Sequence, residues 1–260
     1  MKPGSTELSG FDEVDEAAFA ARSGDRKSLR PDVLNLGSFF EALILRKSLA
    51  GLLVQDRGGA RGALLRKASR SRHGSAYGVE CGAFLLGEEG LEAQNDTLSF
   101  AEAVSRCVEQ SGIPDKPRML LKGAVVELIS NIHEHAGQDA RGVAGFEMTP
   151  KGVSIAIADS GRGIVGGYVD EDPELEGLTA DDALVRAVVD HKSRFAKLEP
   201  GRGTGFSTVV RVLRSLDATL RVRSGDASIQ SEGDAADPGW ALREQVELRG
   251  FVVSLVLSWR

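Results

Sequence analysis

Three short segments in the second half of the chain constrain its fold more than any other feature. The first holds Glu127 and Asn131, four residues apart. The second runs from Asp159 through Gly161 to Gly163, and the third is a glycine-rich run at 201–205. A carboxylate and a carboxamide one helical turn apart, an acid in a glycine turn and a glycine loop before a helix together predict a nucleotide site without a P-loop.

The first segment lies in a predicted helix that covers residues 118–135. Its apolar positions recur at i, i+3, i+4 and i+7 and form one stripe of Val125, Leu128, Ile129 and Ile132. Glu127 and Asn131 follow the same spacing, and we expect them on the opposite side of the helix. A surface helix with no binding role would explain these residues as well. The first segment therefore indicates a nucleotide site only in combination with the other two segments.

The second segment follows a predicted strand at 153–158 whose apolar residues alternate. Asp159 at the strand end could accept the amino group of adenine, while Gly161 and Gly163 let a ring approach the backbone. An aspartate that only stabilises a turn is the alternative. The letters also match G-x-G-x-x-G, but residues 167–173 are expected to break the helix that a dinucleotide-binding fold requires.

The third segment precedes a predicted helix that ends near residue 216. Glycines allow unusual backbone angles and expose N–H groups before a helix, which suits a triphosphate. A flexible loop with a helix cap is the alternative. The candidate phosphate-binding residues are Gly201, Arg202, Gly203, Thr204 and Gly205.

Composition narrows the class of protein. The 260 residues carry a formal net charge of -6, so a protein whose main partner is nucleic acid is not expected. Two cysteines do not suggest a disulfide framework, the first thirty residues contain no apolar leader, and no apolar run is long enough to span a bilayer. We therefore predict a cytoplasmic protein without a membrane partner.

Patterning along the chain predicts three parts. Residues 1–30 mix acids and bases and are expected to form a flexible arm. Residues 31–96 form an N-terminal region of unknown function, with a strand at 32–36, a helix at 38–54, a strand at 77–86 and a boundary loop at 87–96. The basic, glycine-rich run at 57–72 is predicted to be a solvated linker or helix face, with a partner or nucleic-acid surface as the alternative. Residues 97–260 form the main domain.

The main domain is predicted to be α+β. Helices at 97–110, 118–135, 179–190 and up to 216 alternate with strands at 142–148, 153–158, 218–223, 227–230 and 251–257. The helix at 179–190 is predicted to begin with Thr179 as its cap. Gly225 and Asp226 are expected to link two of these strands in a hairpin. The result is a two-layer α/β sandwich with a mixed, mostly antiparallel sheet covered by helices on one face, plus a small N-terminal α/β region.

In this order and spacing, residues 97–260 resemble the GHKL superfamily of ATP-binding domains. Glu127 and Asn131 match its N box, Asp159, Gly161 and Gly163 match its first glycine box, and Gly201, Gly203 and Gly205 match its second. The resemblance implies the GHKL fold with ATP and Mg²⁺ as cofactors. It implies that Asn131 binds magnesium and that Asp159 recognises adenine. It also implies that Gly163 and the 201–205 loop contact the phosphates under a lid at 164–200. Phe206 and Phe251 depart from the usual pattern.

The resemblance also limits the range of activities that we expect. Glu127 matches the base of hydrolytic members and serine kinases, which orthodox histidine kinases usually lack. We therefore expect an ATP- and Mg²⁺-dependent regulatory protein, either a slow ATPase switch or a serine/threonine protein kinase of the anti-sigma type, with a protein partner or substrate. A noncatalytic nucleotide sensor or interaction module, a histidine kinase-like signalling protein, and assembly as a homodimer remain open.

Overall fold

The computed structural model describes residues 9–29, 34–49, 52–54, 60–71, 75–78, 80–86, 91–110, 112–135, 142–150, 152–190, 205–216, 218–231 and 239–258. The helices in these ranges are α1 Ser9–Arg22, α2 Leu36–Ser48, α3 Ala60–Arg70, α4 Leu91–Glu109, α5 Asp115–His135, α6 Gly163–Glu171, α7 Ala180–Val188 and α8 Gly205–Leu216. The strands are β1 Lys27–Leu29, β2 Leu52–Val54, β3 Ser75–Tyr77, β4 Cys81–Leu86, β5 Gly142–Thr149, β6 Gly152–Asp159, β7 Ala218–Ser231 and β8 Trp240–Ser258. None of these helices combines the length and the apolar character that crossing a bilayer requires.

Six strands form the main sheet in the order β3-β4-β5-β6-β8-β7. Every neighbouring pair in it is antiparallel. The parallel pair β1–β2 forms a separate two-stranded sheet. The predicted α+β class is therefore confirmed. The main sheet itself is wholly antiparallel in the described residues, where a mixed sheet was predicted.

Both faces of the sheet are covered, which corrects the prediction that helices lie on one face only. Along β6, Val153, Ile155 and Ile157 pack into a core with α4, α5, α7 and α8. The alternate residues Ala156 and Ala158 pack on the other face against α1 and α2. Because successive side chains of a strand point to opposite faces, this central strand is buried along its whole length. The chain thus forms three layers where two were predicted.

In the described residues 9–29, helix α1 and strand β1 take the place of the flexible arm that composition predicted for residues 1–30. Phe11, Val14 and Ala18 are buried against the sheet side of the helix, and charged residues occupy its outer side. The apolar positions are spaced three or four residues apart within a charged run, which hides them from an average over composition. Tertiary packing therefore orders a segment that its mean polarity marks as disordered.

Two strands of the N-terminal region, β3 and β4, belong to the same sheet as the main domain. Strand β4 pairs with β5 along its length, from Cys81 opposite Glu147 to Leu86 opposite Gly142. Strand β3 continues the sheet beyond β4. The predicted boundary at 87–96 therefore does not correspond to a break in the sheet.

Two smaller predictions in this region are also corrected. The predicted strand at 32–36 is replaced, in its described part, by a bend at Leu34 and by the start of α2, where the Asn35 side chain accepts a hydrogen bond from the Ser38 N–H at 2.9 Å. The predicted helix at 38–54 ends at Ser48, and its last part is β2. The basic run at 57–72 does include a helix, α3.

Strands β7 and β8 form one long ribbon. The two strands predicted at 218–223 and 227–230 are a single strand, because both halves pair with β8. Gly225, with φ of 61°, lies in a bulge between them instead of in the predicted hairpin turn. A Gly-Asp pair suits both structures, and only the distant partner strand decides between them.

Candidate functional site

Asp159 ends β6 on the face of the sheet that α5 covers. It continues the alternation of Val153, Ile155 and Ile157, all of which lie in the core formed with that helix. The side chain is 4% exposed, and its Oδ1 atom accepts a hydrogen bond of 2.7 Å from the Gly161 N–H. Burial raises the pKa of Asp159 to about 6, although the Gly161 hydrogen bond opposes the shift. The alternative in which Asp159 only stabilises a turn is therefore correct for one of its two carboxylate oxygens.

Ser224 connects the glycine turn to strands β7 and β8 through two hydrogen bonds. The Ile164 N–H donates to the Ser224 Oγ at 2.9 Å, and that hydroxyl donates to the Gly250 carbonyl oxygen at 2.8 Å. Gly163 has a φ of 72°, and a Cβ atom there would lie 2.6 Å from the Ser224 Oγ. The matched glycine is thus required by the backbone angle and by the close approach of β7.

Gly250 and Phe251 form the part of β8 that lies beside Asp159. The Asp159 Cα is paired with that of Phe251 across the strands. Gly250 has a φ of 113°, and a Cβ atom on it would lie 2.1 Å from the Asp159 carbonyl oxygen. The sequence analysis missed Ser224 and Gly250 as site residues. The sequence signal for Ser224 was the adjacent Gly-Asp pair, whose bulge turns the strand toward the glycine turn.

Helix α8, which begins at the last residue of the third segment, lies beside the same part of β8. The Phe206 and Phe251 rings meet edge to face, with centroids 6.1 Å apart. Gly205 is the first residue of α8, as the predicted helix after the glycine loop requires. Gly201, Arg202, Gly203 and Thr204 lie outside the described residues. The start of α8 therefore lies against the strand partner of Asp159.

Helix α5 presents Glu127 and Asn131 at the edge of its buried face. The predicted stripe of Val125, Leu128 and Ile129 is buried, together with Ile132. Glu127 and Asn131 are half-buried, and the exposed Gly123 lies farther round the helix. Glu127 and Asn131 are thus outside the buried stripe, as predicted, but are partly covered. The Asn131 carboxamide makes no side-chain hydrogen bond to another residue in the described ranges.

A helix follows the glycine turn directly, contrary to prediction. Helix α6 starts at Gly163 and is anchored by the buried ring of Tyr168 and by an ion pair between Arg162 and Asp170. The predicted helix break at 167–173 was wrong, because α6 continues to Glu171. The dinucleotide-binding fold is excluded for another reason, since both neighbours of β6 are antiparallel to it and that fold needs a parallel strand.

The predicted lid at 164–200 is largely part of the packed structure in its described part, residues 164–190. Helix α7 starts at the predicted cap, where the Thr179 Oγ1 accepts a hydrogen bond from the Asp182 N–H at 3.2 Å. Ala180, Leu184 and Val188 of this helix are buried in the core that also holds α5. A single turn of 3-10 helix, Pro173–Leu175, joins α6 to α7. Residues 191–200 lie outside the described residues.

Glycine substitutions test this geometry. Gly163→Ala is expected to lower the free energy of unfolding by about 1–3 kcal/mol, because alanine disfavours the backbone angle and its methyl group meets Ser224. Gly123→Ala is the matched control, since nothing lies within 4 Å of a Cβ atom there. The control should gain about 0.5–1 kcal/mol from better helix propensity. Urea denaturation measures the free energy of unfolding of both variants. Equal values for the two would contradict the close contact between Gly163 and Ser224.

The site thus assembles Asp159, its glycine turn and the start of α8 around β8, with the Glu127–Asn131 edge of α5 on the same face of the sheet. Comparison of the chain with models of known protein families gives no match, and comparison with curated proteins gives none either.

Proposed function

We propose that the chain is an ATP- and Mg²⁺-dependent regulatory protein of the GHKL type, acting as a slow ATPase switch or as a serine/threonine protein kinase. The observation that carries this proposal is Asp159, a buried carboxyl group in a glycine turn whose pKa is raised to about 6. A carboxylate that is costly to bury and forms no ion pair with a described residue is typical of a binding or catalytic site.

The chemistry of adenine fits this carboxylate. One Asp159 oxygen is held by the Gly161 N–H, so the other can accept a hydrogen bond from the exocyclic amino group of the base. The Phe206–Phe251 pair supplies apolar surface beside it. These contacts favour an aminopurine over a base that presents only carbonyl oxygens.

Magnesium and the phosphates are assigned to α5 and α8. Asn131 offers a half-buried carboxamide oxygen, a hard ligand that suits Mg²⁺ when phosphates and water complete its shell. The N-terminus of α8 is the positive end of its helix dipole and favours an anion. Glu127 lies one turn before Asn131 and is the proposed base, acting on water in an ATPase or on a hydroxyl group in a kinase.

Asp159→Asn is expected to weaken ATP binding and to strengthen the fold. The carboxamide oxygen of the variant would keep the Gly161 hydrogen bond, so its amide N–H would face the adenine amino group, donor against donor. We expect a loss of about 1–3 kcal/mol in binding, measured by calorimetry with Mg²⁺ present. Asp25→Asn, in an exposed turn, is the control and should bind ATP like the wild type.

The gain in stability follows from the raised pKa. The ordinary value is 3.8 and the folded value is about 6, so the folded state binds the extra proton and loses stability as the pH rises through this interval. Removing the carboxylate should therefore stabilise the fold by about 2–3 kcal/mol more at pH 7.5 than at pH 3.5. Unchanged ATP affinity in the variant would remove Asp159 from the site. Absence of ATP binding by the wild type would overturn the proposed function.

The acceptor of the γ-phosphate distinguishes an ATPase switch from a protein kinase. Incubation with γ-labelled ATP and a cell lysate should release free phosphate from a switch and label a protein in the case of a kinase. Binding without either product would assign the chain to the sensor class.

A further inference from the structure

Two arginines of β7 lie fully covered on the face of the sheet away from the candidate site. Arg221 and Arg223 alternate with Leu220 and Val222, which belong to the opposite core, and their exposed fractions are 1% and 0%. Glu41 of α2 accepts from the Arg221 Nε at 2.8 Å and from the Arg223 Nη1 at 2.9 Å. The second acid of the cluster is Asp15 of α1.

Asp15 is the less tightly held of the two acids. Its Oδ1 accepts from the Arg223 Nη1 at 2.8 Å, and its Oδ2 accepts from the Arg221 Nη2 at 3.1 Å. Burial raises the pKa of Asp15, and the attraction of Arg221 does not offset it. For Glu41 burial acts in the same direction, but Arg221 and Arg223 outweigh it and lower the pKa. Glu41 is therefore the fixed counter-ion, whereas Asp15 is the costlier carboxylate to keep in place.

The covered face is polar and incompletely bonded. The Arg221 Nη1, the Arg223 Nε and the Ser254 Oγ are buried without a hydrogen-bond partner among the described residues. A buried ion cluster is often no more stable than apolar side chains of the same volume, and each unbonded group adds a cost. A face that stays covered permanently gains nothing from these groups. They are explained if the face binds another ligand in a second state.

Helix α1 is attached to this face by a small set of contacts. The Arg221 guanidinium lies over the Phe11 ring, 4.6 Å from its centroid, and Asp15 follows four residues later on the same side of the helix. The other buried residues of α1 are Gly10, Val14, Ala17 and Ala18, and Ala21 packs against the same core. Apart from Phe11 and Val14 these residues are small, and a helix held mainly by small side chains lies toward the low end of local stability.

We propose that the Arg221–Arg223 face is a docking site for an acidic amphipathic helix of a partner protein, and that α1 occupies this site within the chain. The two arginines and Glu41 leave one positive charge when α1 departs, which matches one carboxylate. The preferred ligand is therefore a helix with an aromatic residue and an aspartate or glutamate four positions later, as Phe11 and Asp15 are in α1. Docking of the partner displaces α1.

Displacement of α1 does not require nucleotide, and it can be measured without ATP. Arg223 directly precedes Ser224, which holds the glycine turn of the candidate site. The partner helix thus binds one residue from the strand position that contacts this turn.

The first experiment follows hydrogen exchange of the wild-type full chain under native conditions. Amides of α1 should exchange at least tenfold faster than those of α5 and β6, because α1 opens without the rest of the fold. Equal rates in the three elements would mean that α1 leaves only on global unfolding, and this result would overturn the proposal.

The second experiment uses a fluorescently labelled peptide with the sequence of Ser9–Arg22 and blocked ends. Anisotropy should show at least tenfold tighter binding to the full-length variant Phe11→Ala/Asp15→Ala than to the wild type, whose own α1 competes. A peptide with alanine at the positions of Phe11 and Asp15 is the control. No binding to the variant, or equal binding of the control peptide, would overturn the proposal. A variant that dimerises without peptide, measured by sedimentation, would assign the face to α1 of a second copy and overturn the choice of partner.

Discussion

Glu127→Gln is expected to lower ATP turnover about a hundredfold or more while leaving magnesium-ATP binding nearly unchanged. Glutamine keeps the shape and hydrogen-bonding capacity of the side chain at the edge of α5 but cannot take a proton. The proposed base acts only in the chemical step, so the loss should appear in kcat. Single-turnover phosphate release or partner labelling measures the rate, and calorimetry measures the binding.

Two further variants make the Glu127 result specific. Asn131→Ala should weaken the magnesium-dependent part of ATP binding, because it removes a proposed metal ligand one helical turn away. Glu102→Gln is the matched control: it makes the same substitution in an exposed carboxylate of α4 that pairs with Lys122, and turnover should not change. If Glu127→Gln turns over at the wild-type rate, another residue is the base. If the wild type has no turnover with any partner, the sensor class replaces the enzyme.

Glu41→Gln is expected to lower the free energy of unfolding by about 3–5 kcal/mol. The substitution leaves Arg221 and Arg223 buried with Asp15 as their remaining counter-ion. An uncompensated charge in an interior is among the most costly single defects, whereas the exposed Glu102–Lys122 pair contributes less than about 1 kcal/mol. Guanidinium denaturation of Glu41→Gln and Glu102→Gln measures the difference directly.

The Glu41 effect should also depend on pH in a defined way. The arginines hold the pKa of Glu41 below its ordinary value of 4.5, so its contribution is complete above that value and is lost as the pH falls through the lower, folded pKa. The stabilities of Glu41→Gln and the wild type should therefore converge in acid. A difference below about 1 kcal/mol at pH 7 would contradict a dry, closely paired cluster.

Elements whose pattern is local were predictable. The helix that carries Glu127 and Asn131, the strand that ends at Asp159 and the cap at Thr179 were all predicted from spacing and cap residues, and the structure confirms these elements. In each of them periodicity and end signals agree. Helix α6 was missed because its glycines and the following Pro173 are breaker signals. The buried Tyr168 overrides them through tertiary packing, which no local pattern contains.

Features made by distant pairing were not predictable. Ser224 and Gly250 contact the glycine turn only because β7 and β8 pair across a bulge. The cover over the second face likewise requires Glu41 to meet Arg221 across 180 residues of sequence. A charged residue is normally expected at the surface, so the sequence did not indicate that Arg221 and Arg223 are buried.

The position of β8 in the sheet has a consequence for the order of synthesis. This strand is the last described element of the chain, yet it lies between β6 and β7 and touches both covering layers. The 180 residues between Glu41 and Arg221 take about 10–40 s to translate at typical rates. Strands β5 and β6 are made within that time, but Phe39 and Phe40 of α2 also belong to a core that includes Val246, Leu248 and Val252 of β8, which are made after Arg221. The nascent chain must therefore keep a partly uncovered hydrophobic helix from aggregating until β8 leaves the ribosome.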